Sequence, residues 1–238
     1  MTGEADFPPA GWREIAVRDA RVKLWLIDAA PDPAALAAAA RVLSEAERAR
    51  AGRFFRLEDR ARSMISRAAL RRLLGAATGR APESLVFGET EHGRPRLVGA
   101  QAPSFQAPSF NVSHSGGWAL IGLSKHGDIG VDIEEARPDV EALDLARGFF
   151  HDGEYRAIAA REGAARLEAF YRVWTAKEAA LKALGVGIAE RLKDFEVRFA
   201  PDELRVIAEP GAFSPRLSTM RLEALAAPQG YAAACALA

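Results

Sequence analysis

Ile129-Gly130-Val131-Asp132-Ile133-Glu134 and, further on, Phe170-Tyr171-Arg172-Val173-Trp174-Thr175-Ala176-Lys177-Glu178-Ala179-Ala180-Leu181-Lys182 decide how this 238-residue chain is read. The first run alternates around β-branched residues, which predicts a strand. Alternation puts Asp132 and Glu134 on one face and Val131 and Ile133 on the other, with the two carboxylates roughly 7 Å apart. The second run has a helical period: Leu167, Phe170, Tyr171, Trp174 and Leu181 form one stripe. Glu178 lies inside that stripe, where a carboxylate is costly unless positive charge meets it. Lys182 at i+4 supplies part of that charge. A hard cation shared with Asp132 and Glu134 would supply more, because Mg²⁺ takes carboxylate, water and phosphate oxygens. The other reading leaves Asp132 and Glu134 on the solvated face of an antiparallel strand and pairs Glu178 with Lys182 alone.

Upstream, Phe110-Asn111-Val112-Ser113-His114-Ser115-Gly116-Gly117 precedes an apolar strand, Trp118 to Leu123. A polar turn with His, two Ser and a double Gly brings backbone N–H groups and an imidazole to a strand end, a combination that suits a phosphate oxygen. The alternative is a His that serves only as a turn hydrogen-bond partner.

In this order and spacing the segments resemble the Sfp-type 4′-phosphopantetheinyl transferases. That family carries Phe-Asn-x-Ser-His-Ser, then Gly-(Val/Ile)-Asp-(Ile/Val)-Glu, then Trp-x-x-Lys-Glu-x-x-x-Lys, here Phe110–Ser115, Gly130–Glu134 and Trp174–Lys182. Its Gly-(Lys/Arg)-Pro element stands as Gly93-Arg94-Pro95. The resemblance runs from about residue 40 to the C-terminus. It implies transfer of the phosphopantetheine arm of coenzyme A to a serine hydroxyl of an apo acyl or peptidyl carrier protein, with release of adenosine 3′,5′-bisphosphate. It implies Mg²⁺ (Mn²⁺ is an alternative) on Asp132, Glu134 and Glu178, and phosphate contacts from Lys182, His114, Ser113 and Arg94. It also makes Glu178 a candidate general base and gives Lys177 either a ligand contact or a solvated position. Gly52 to Ser63 is similar to the family segment before its first long helix, which implies phosphate contacts from Arg62 and Arg50. At Glu47 some relatives have a basic residue. The implied fold is α+β, a pseudo-dimer of two similar lobes, residues 1–125 and 126–238. Each lobe has helices on a mainly antiparallel sheet, and the ligand cleft lies between them. Family analogy puts carrier docking on the second lobe, where Phe149, Phe150 and Tyr155 lie; packing is expected to claim at least two of them. A monomer is implied. A coenzyme A-binding regulator without turnover and an unrelated Mg²⁺-dependent phosphohydrolase remain as alternatives.

Composition agrees. Hydrophobic residues make up 49% of the chain, enough for a full core. The sequence has no apolar run long enough to span a membrane and no basic-then-apolar N-terminal pattern, so a cytoplasmic location is expected. The single cysteine, Cys235, excludes an intramolecular disulfide and a cysteine-cluster metal site; its apolar run predicts a buried small hydrophobe. Net charge is zero, yet Arg41 to Arg96 holds 13 Arg and no Lys and carries +6, against −6 for the remainder. Such asymmetry points to an anionic partner. The arginines form no continuous stripe and have no aromatic ladder, so nucleic acid is not expected.

The pattern predicts a strand over Arg21 to Ala29, a helix over Ala34 to Val42, a capping box from Ser44 to Glu47, and a helix from Arg60 to Leu74 ending at Gly75. Short strands flank Gly93-Arg94-Pro95. The tandem pentapeptide Gln101–Phe105/Gln106–Phe110 reads as a loop expansion. Trp118 to Ser124 and Asp128 to Glu134 read as a hairpin through His126-Gly127. Helices follow over Leu143 to Phe150, Asp152 to Arg161 and Ala165 to Leu184, stopped by Gly185 and Gly187. Strands at Phe195 to Phe199, near Leu217 to Leu225, and at Tyr231 to Leu237 complete the sheet.

Overall fold

The protein is described from a computed structural model over residues 11–90, 93–98, 108–186, 191–200, 203–207 and 213–238. The chain runs through one order of elements twice. The first pass is strand β2 (Val22–Asp28), helices α1 (Pro33–Val42), α2 (Glu45–Ala51) and α3 (Leu57–Thr78), hairpin β3 (Val86–Glu89) and β4 (Pro95–Val98), then β5 (Ser109–Ser115) and β6 (Trp118–Ser124). The second is β7 (Ile129–Glu135), α4 (Ala142–Phe149), α5 (Asp152–Ala159), α6 (Gly163–Leu184), hairpin β8 (Glu196–Ala200) and β9 (Glu203–Ile207), then β10 (Arg221–Ala224) and β11 (Tyr231–Leu237). Both passes build a sheet in which the first strand pairs antiparallel with the last, and the last with the one before it: β2-β6-β5 and β7-β11-β10. A short strand β1 (Trp12–Ile15) extends the first sheet. The α+β pseudo-dimer is therefore present at the level of topology.

Alternation explains the layering. In β2, Trp25 and Ile27 pack toward α3 with Ile65, Ala69 and Leu73, while Val22, Leu24 and Leu26 meet Ile129, Val131 and Ile133 of β7. The even residues of β7, Gly130, Asp132 and Glu134, face the other way, toward α6. A Cβ on Gly130 would meet the Ala179 carbonyl at 2.0 Å and the Ala183 amide at 2.4 Å, so the helix backbone lies directly on this glycine. Both long helices end on a left-handed glycine, Gly79 (φ +68°) and Gly185 (φ +71°), which L-residues adopt only with strain. Cys235 is buried among apolar neighbours, and burial pushes its thiol up to about 12.

Three expectations need correction. The β6/β7 hairpin does not form: β2 and β6 pair, β5 and β6 pair, so β6 has no free edge and β7 crosses to the second sheet. Helix α3 runs through Gly75 to Thr78 and stops at Gly79; Gly75 is not a stop but a close approach, where a side chain would collide with the Arg80 carbonyl and Pro82. Helix α6 is buried on nearly every side of its second half, not along one stripe. Strands β1 and β9 were not anticipated. The Ser44/Glu47 capping box is present. Residues 101–107 of the tandem pentapeptide, and Gly187, lie outside the described residues, while Ser109 and Phe110 open β5.

Because the obstacle at Gly130 is backbone, Gly130→Ala is expected to lower the urea-unfolding free energy by about 2 kcal/mol. A loss within experimental error would show that α6 can step away from β7 at no cost.

Candidate active site

Strand β5 brings the site together. Hydrogen bonds link it to β7 at sequence offsets of 19 or 20, so the two strands run parallel. Val131 N–H donates to Asn111 Oδ1 (2.9 Å), Ser113 Oγ to Asp132 Oδ1 (2.8 Å) and Ser115 Oγ to Glu134 Oε2 (2.8 Å), and Ser115 Oγ accepts from Glu135 N–H (3.1 Å). The odd residues of β5 thus face β7, and the even ones, Phe110, Val112 and His114, face the α3 side.

On the β7 side, Asp132 is buried and Glu178 nearly so. Lys182 Nζ donates to Asp132 Oδ1 at 2.6 Å and to Ser113 Oγ at 3.3 Å, and stands 3.9 Å from Glu178 Oε2. The lysine is therefore closer to Asp132 than to its own helix neighbour. Burial, with Asp132 and Glu134 nearby, pushes Glu178 up to about 7; burial and Asp132 also raise Glu134. Three carboxylates against one ammonium leave the cluster short of positive charge. Asp132 Oδ2 is buried with no hydrogen-bond partner among the described residues. An all-oxygen donor set with an orphaned carboxylate oxygen fits a hard divalent cation. Among the described residues, no group of three or more His, Cys, Asp or Glu side chains is placed to hold a metal ion by itself, the Asp132, Glu134 and Glu178 set included. A cation here would complete its shell with water or ligand oxygens, as Mg²⁺ commonly does.

On the α3 side is a cleft of about 380 Å³, lined by Arg50, Arg62, His114, Phe54, Phe87 and Pro95 among others. Arg62 donates to the Gly116 carbonyl (2.7 Å) and pairs with Asp59. His114 is exposed to solvent at the rim, yet the surrounding walls, Arg62 and Lys182 together hold its imidazole below the usual histidine value. Glu47 both caps α2 and binds Arg67 (2.5 Å) and Arg71 (2.8 Å); Glu47, Arg67 and Arg50 line the cleft, and Arg71 is buried outside it. A larger cleft of about 740 Å³ lies at Arg94, Asp128 and Arg216, but neither His114 nor the carboxylates line it.

Two expected ligand residues are placed elsewhere. Lys177 is fully buried: its ammonium meets Glu154 at 2.8 Å and donates to the Leu192 and Phe195 carbonyls. It cannot reach a ligand because α6 is enclosed on that side by α5 and β8. Arg94 donates to the carbonyls of Ile129 (2.7 Å), Lys182 (3.1 Å) and Phe110 (3.2 Å), so it fastens the two lobes together. Phe150 is buried against Phe170 and Trp174, and Tyr155 joins the same cluster, while Phe149 is exposed. The side chains of Asn111 and Ser115 tie β5 to β7, a role not assigned from the sequence although the polar residues at 109, 111, 113 and 115 are an alternating signal.

Lys177→Met should destabilise the fold by about 3–5 kcal/mol in chemical denaturation, because Glu154 is left buried and unpaired. In NMR titration His114 is expected to lose its proton below the ordinary value of about 6.5. The folded state binds this proton less tightly than the unfolded one. The histidine's share of stability is therefore present above the unfolded pKa and is lost as pH falls from there through the lower folded pKa; a midpoint above 6.5 would contradict the arrangement.

Comparison with known proteins finds relatives over most of the chain. Residues 128–236 match the model described as the 4′-phosphopantetheinyl transferase superfamily, and residues 28–126 match 4′-phosphopantetheinyl transferase, N-terminal. A Synechocystis sp. protein is 42% identical over 162 residues, covering 68% of this chain and 63% of that protein. The 4′-phosphopantetheinyl transferase HetI of Nostoc sp. is 37% identical over 182 residues, 76% of each chain. The 4′-phosphopantetheinyl transferase Sfp of Bacillus subtilis is 29% identical over 173 residues, 73% of this chain and 74% of its own. The chain belongs to the 4′-phosphopantetheinyl transferase family.

Proposed function

We propose that the chain moves the 4′-phosphopantetheine arm of coenzyme A onto a serine of an apo acyl or peptidyl carrier protein. The observation that carries this is β5, which presents Ser113 and Ser115 to the carboxylates and His114 to the arginine cleft. One strand thus joins a place for a nucleotide's phosphates to an acidic cluster.

In the reaction, the serine oxygen bonds to the phosphorus that bears the pantetheine arm. The bond from that phosphorus to the bridging oxygen breaks, and adenosine 3′,5′-bisphosphate leaves with that oxygen. Arg50, Arg62 and His114 hold the nucleotide phosphates, and Ser113 and Lys182 hold the pyrophosphate beside Asp132. Positioning and charge neutralisation dominate phosphoryl transfer, and these residues are arranged for both. Glu178 would accept the serine's proton, directly or through water. Asp132, Glu134 and Glu178 would hold Mg²⁺ (or Mn²⁺), which when bound supplies positive charge to the pyrophosphate oxygens. The division at residues 125/126, a monomeric state and a cytoplasmic location complete the reading. Among the described residues, no helix is long and apolar enough to cross a membrane.

Incubation with coenzyme A, Mg²⁺ and an apo carrier protein, followed by mass measurement of the carrier, tests this. A phosphopantetheine adduct is expected. Coenzyme A binding without an adduct would favour a regulator, and bisphosphate release without carrier would favour a hydrolase. Asp132→Ala should reduce adduct formation at least about 100-fold, the scale of losing a centre of transition-state charge stabilisation. An active Asp132→Ala protein would overturn the metal assignment.

A further inference from the structure

The link from α2 to α3 carries the sequence Arg53-Phe54-Phe55-Arg56-Leu57. Phe55 is 103% exposed, Leu57 55% and Phe54 45%. Solvated aromatics placed side by side mark an interaction site far more often than a lone exposed apolar residue does. The turn is built and not a loose tip: Arg53 N–H donates to the Arg50 carbonyl (3.1 Å) and Phe54 N–H to the Ala51 carbonyl (3.2 Å). Around the rings stand Arg50, Arg53, Arg56 and Arg60, all exposed, and among the described residues none of them makes an ion pair. Glu58 offsets part of this charge, and Asp59 is taken up by Arg62. Phe54 also lines the cleft that holds Arg62 and His114, so the patch is continuous with the mouth of the site.

We propose that Arg53–Leu57 is a docking surface for the acidic carrier protein itself, with Phe55 inserting into an apolar depression ringed by carboxylates. This rests on the transferase reading above and adds a contact on the first lobe. Arginine and aromatic side chains dominate interface energetics, and Arg53, Arg56 and Arg60, the three guanidinium groups here that the nucleotide site does not use, favour an acidic partner. An anionic membrane would satisfy the same charge. Continuity with the cleft favours the carrier, because a protein seated on the patch lies at the mouth through which its serine must enter.

The test uses the full chain, Phe55→Ser and the double variant Arg53→Glu/Arg56→Glu. Phe55 packs on nothing, so its removal leaves the fold intact. Labelled apo carrier domain is titrated without coenzyme A, vesicles of phosphatidylglycerol and phosphatidylcholine are titrated in parallel, and holo carrier is followed by mass. Phe55→Ser should weaken carrier binding and raise the carrier KM about tenfold or more, with the KM for coenzyme A unchanged. The double variant should lose affinity most strongly at low salt, the gap narrowing as salt rises. Equal carrier affinity in all three proteins, no carrier binding by the unaltered chain, or variants that lose only vesicle binding would each overturn the proposal. If the unaltered chain binds carrier through Phe55 yet makes no holo carrier, docking stands and the transferase reading falls. If holo carrier forms with a KM indifferent to Phe55, the reverse holds.

Discussion

Strands β5 and β7 share no backbone ladder, yet their side-by-side contact is the constraint from which the site follows. Each closes an edge of its own sheet, and the join between them is made by β5 side chains: Asn111, Ser113 and Ser115 meet the backbone N–H groups of Val131 and Glu135 and the carboxylates of Asp132 and Glu134. A ladder would have used backbone groups alone and left those side chains uncommitted. Here the polar face of β5 is spent on the seam, and its opposite face delivers His114 to the arginine cleft. Arg94 secures the same junction from the β3–β4 hairpin by donating to carbonyls on three elements.

Two lysines of α6, Lys177 fully buried and Lys182 partly exposed, show how local surroundings separate similar residues. Lys177 has one carboxylate, Glu154, which also accepts from Val197 N–H, and two backbone carbonyls besides. Charge and hydrogen bonding are met within the fold, as buried ions require. Lys182, five residues on, pairs with two carboxylates, Asp132 and Glu178, and satisfies them incompletely, leaving Asp132 Oδ2 unpartnered and Glu178 raised. The first arrangement holds α6 in place; the second leaves an unmet electrostatic demand, which is what a site for an anionic ligand and its counter-ion looks like. Gly130 lets both lysines take these positions, because α6 can lie directly on β7 only where no Cβ intervenes.

Much of the site was legible because it is written in short periodic segments. Period-two alternation placed Asp132 and Glu134 on one face, and the helical period put Glu178 with Lys182 at i+4. The Ser44/Glu47 capping box and the glycine stop at Gly185 rest on local backbone chemistry and needed no tertiary knowledge. The β6/β7 hairpin failed for the opposite reason: a turn signal is local, but whether a strand's edge is free depends on β2 and β5, which come from elsewhere in the chain. The duplicated architecture was invisible to sequence comparison within the chain, since it survives as an order of elements and not as repeated residues.

What the amino-acid sequence determined by itself was the identity of the reactive groups and the faces they occupy, because propensity and periodicity act over a few residues. What only the tertiary structure decided was which of those groups meet. Lys177 and Lys182 lie on the same helix with the same charge. Packing on every side of α6 sends one into a sealed ion pair and the other to the seam between the lobes, since burial and long-range contact are properties of neighbours that a sequence window does not contain.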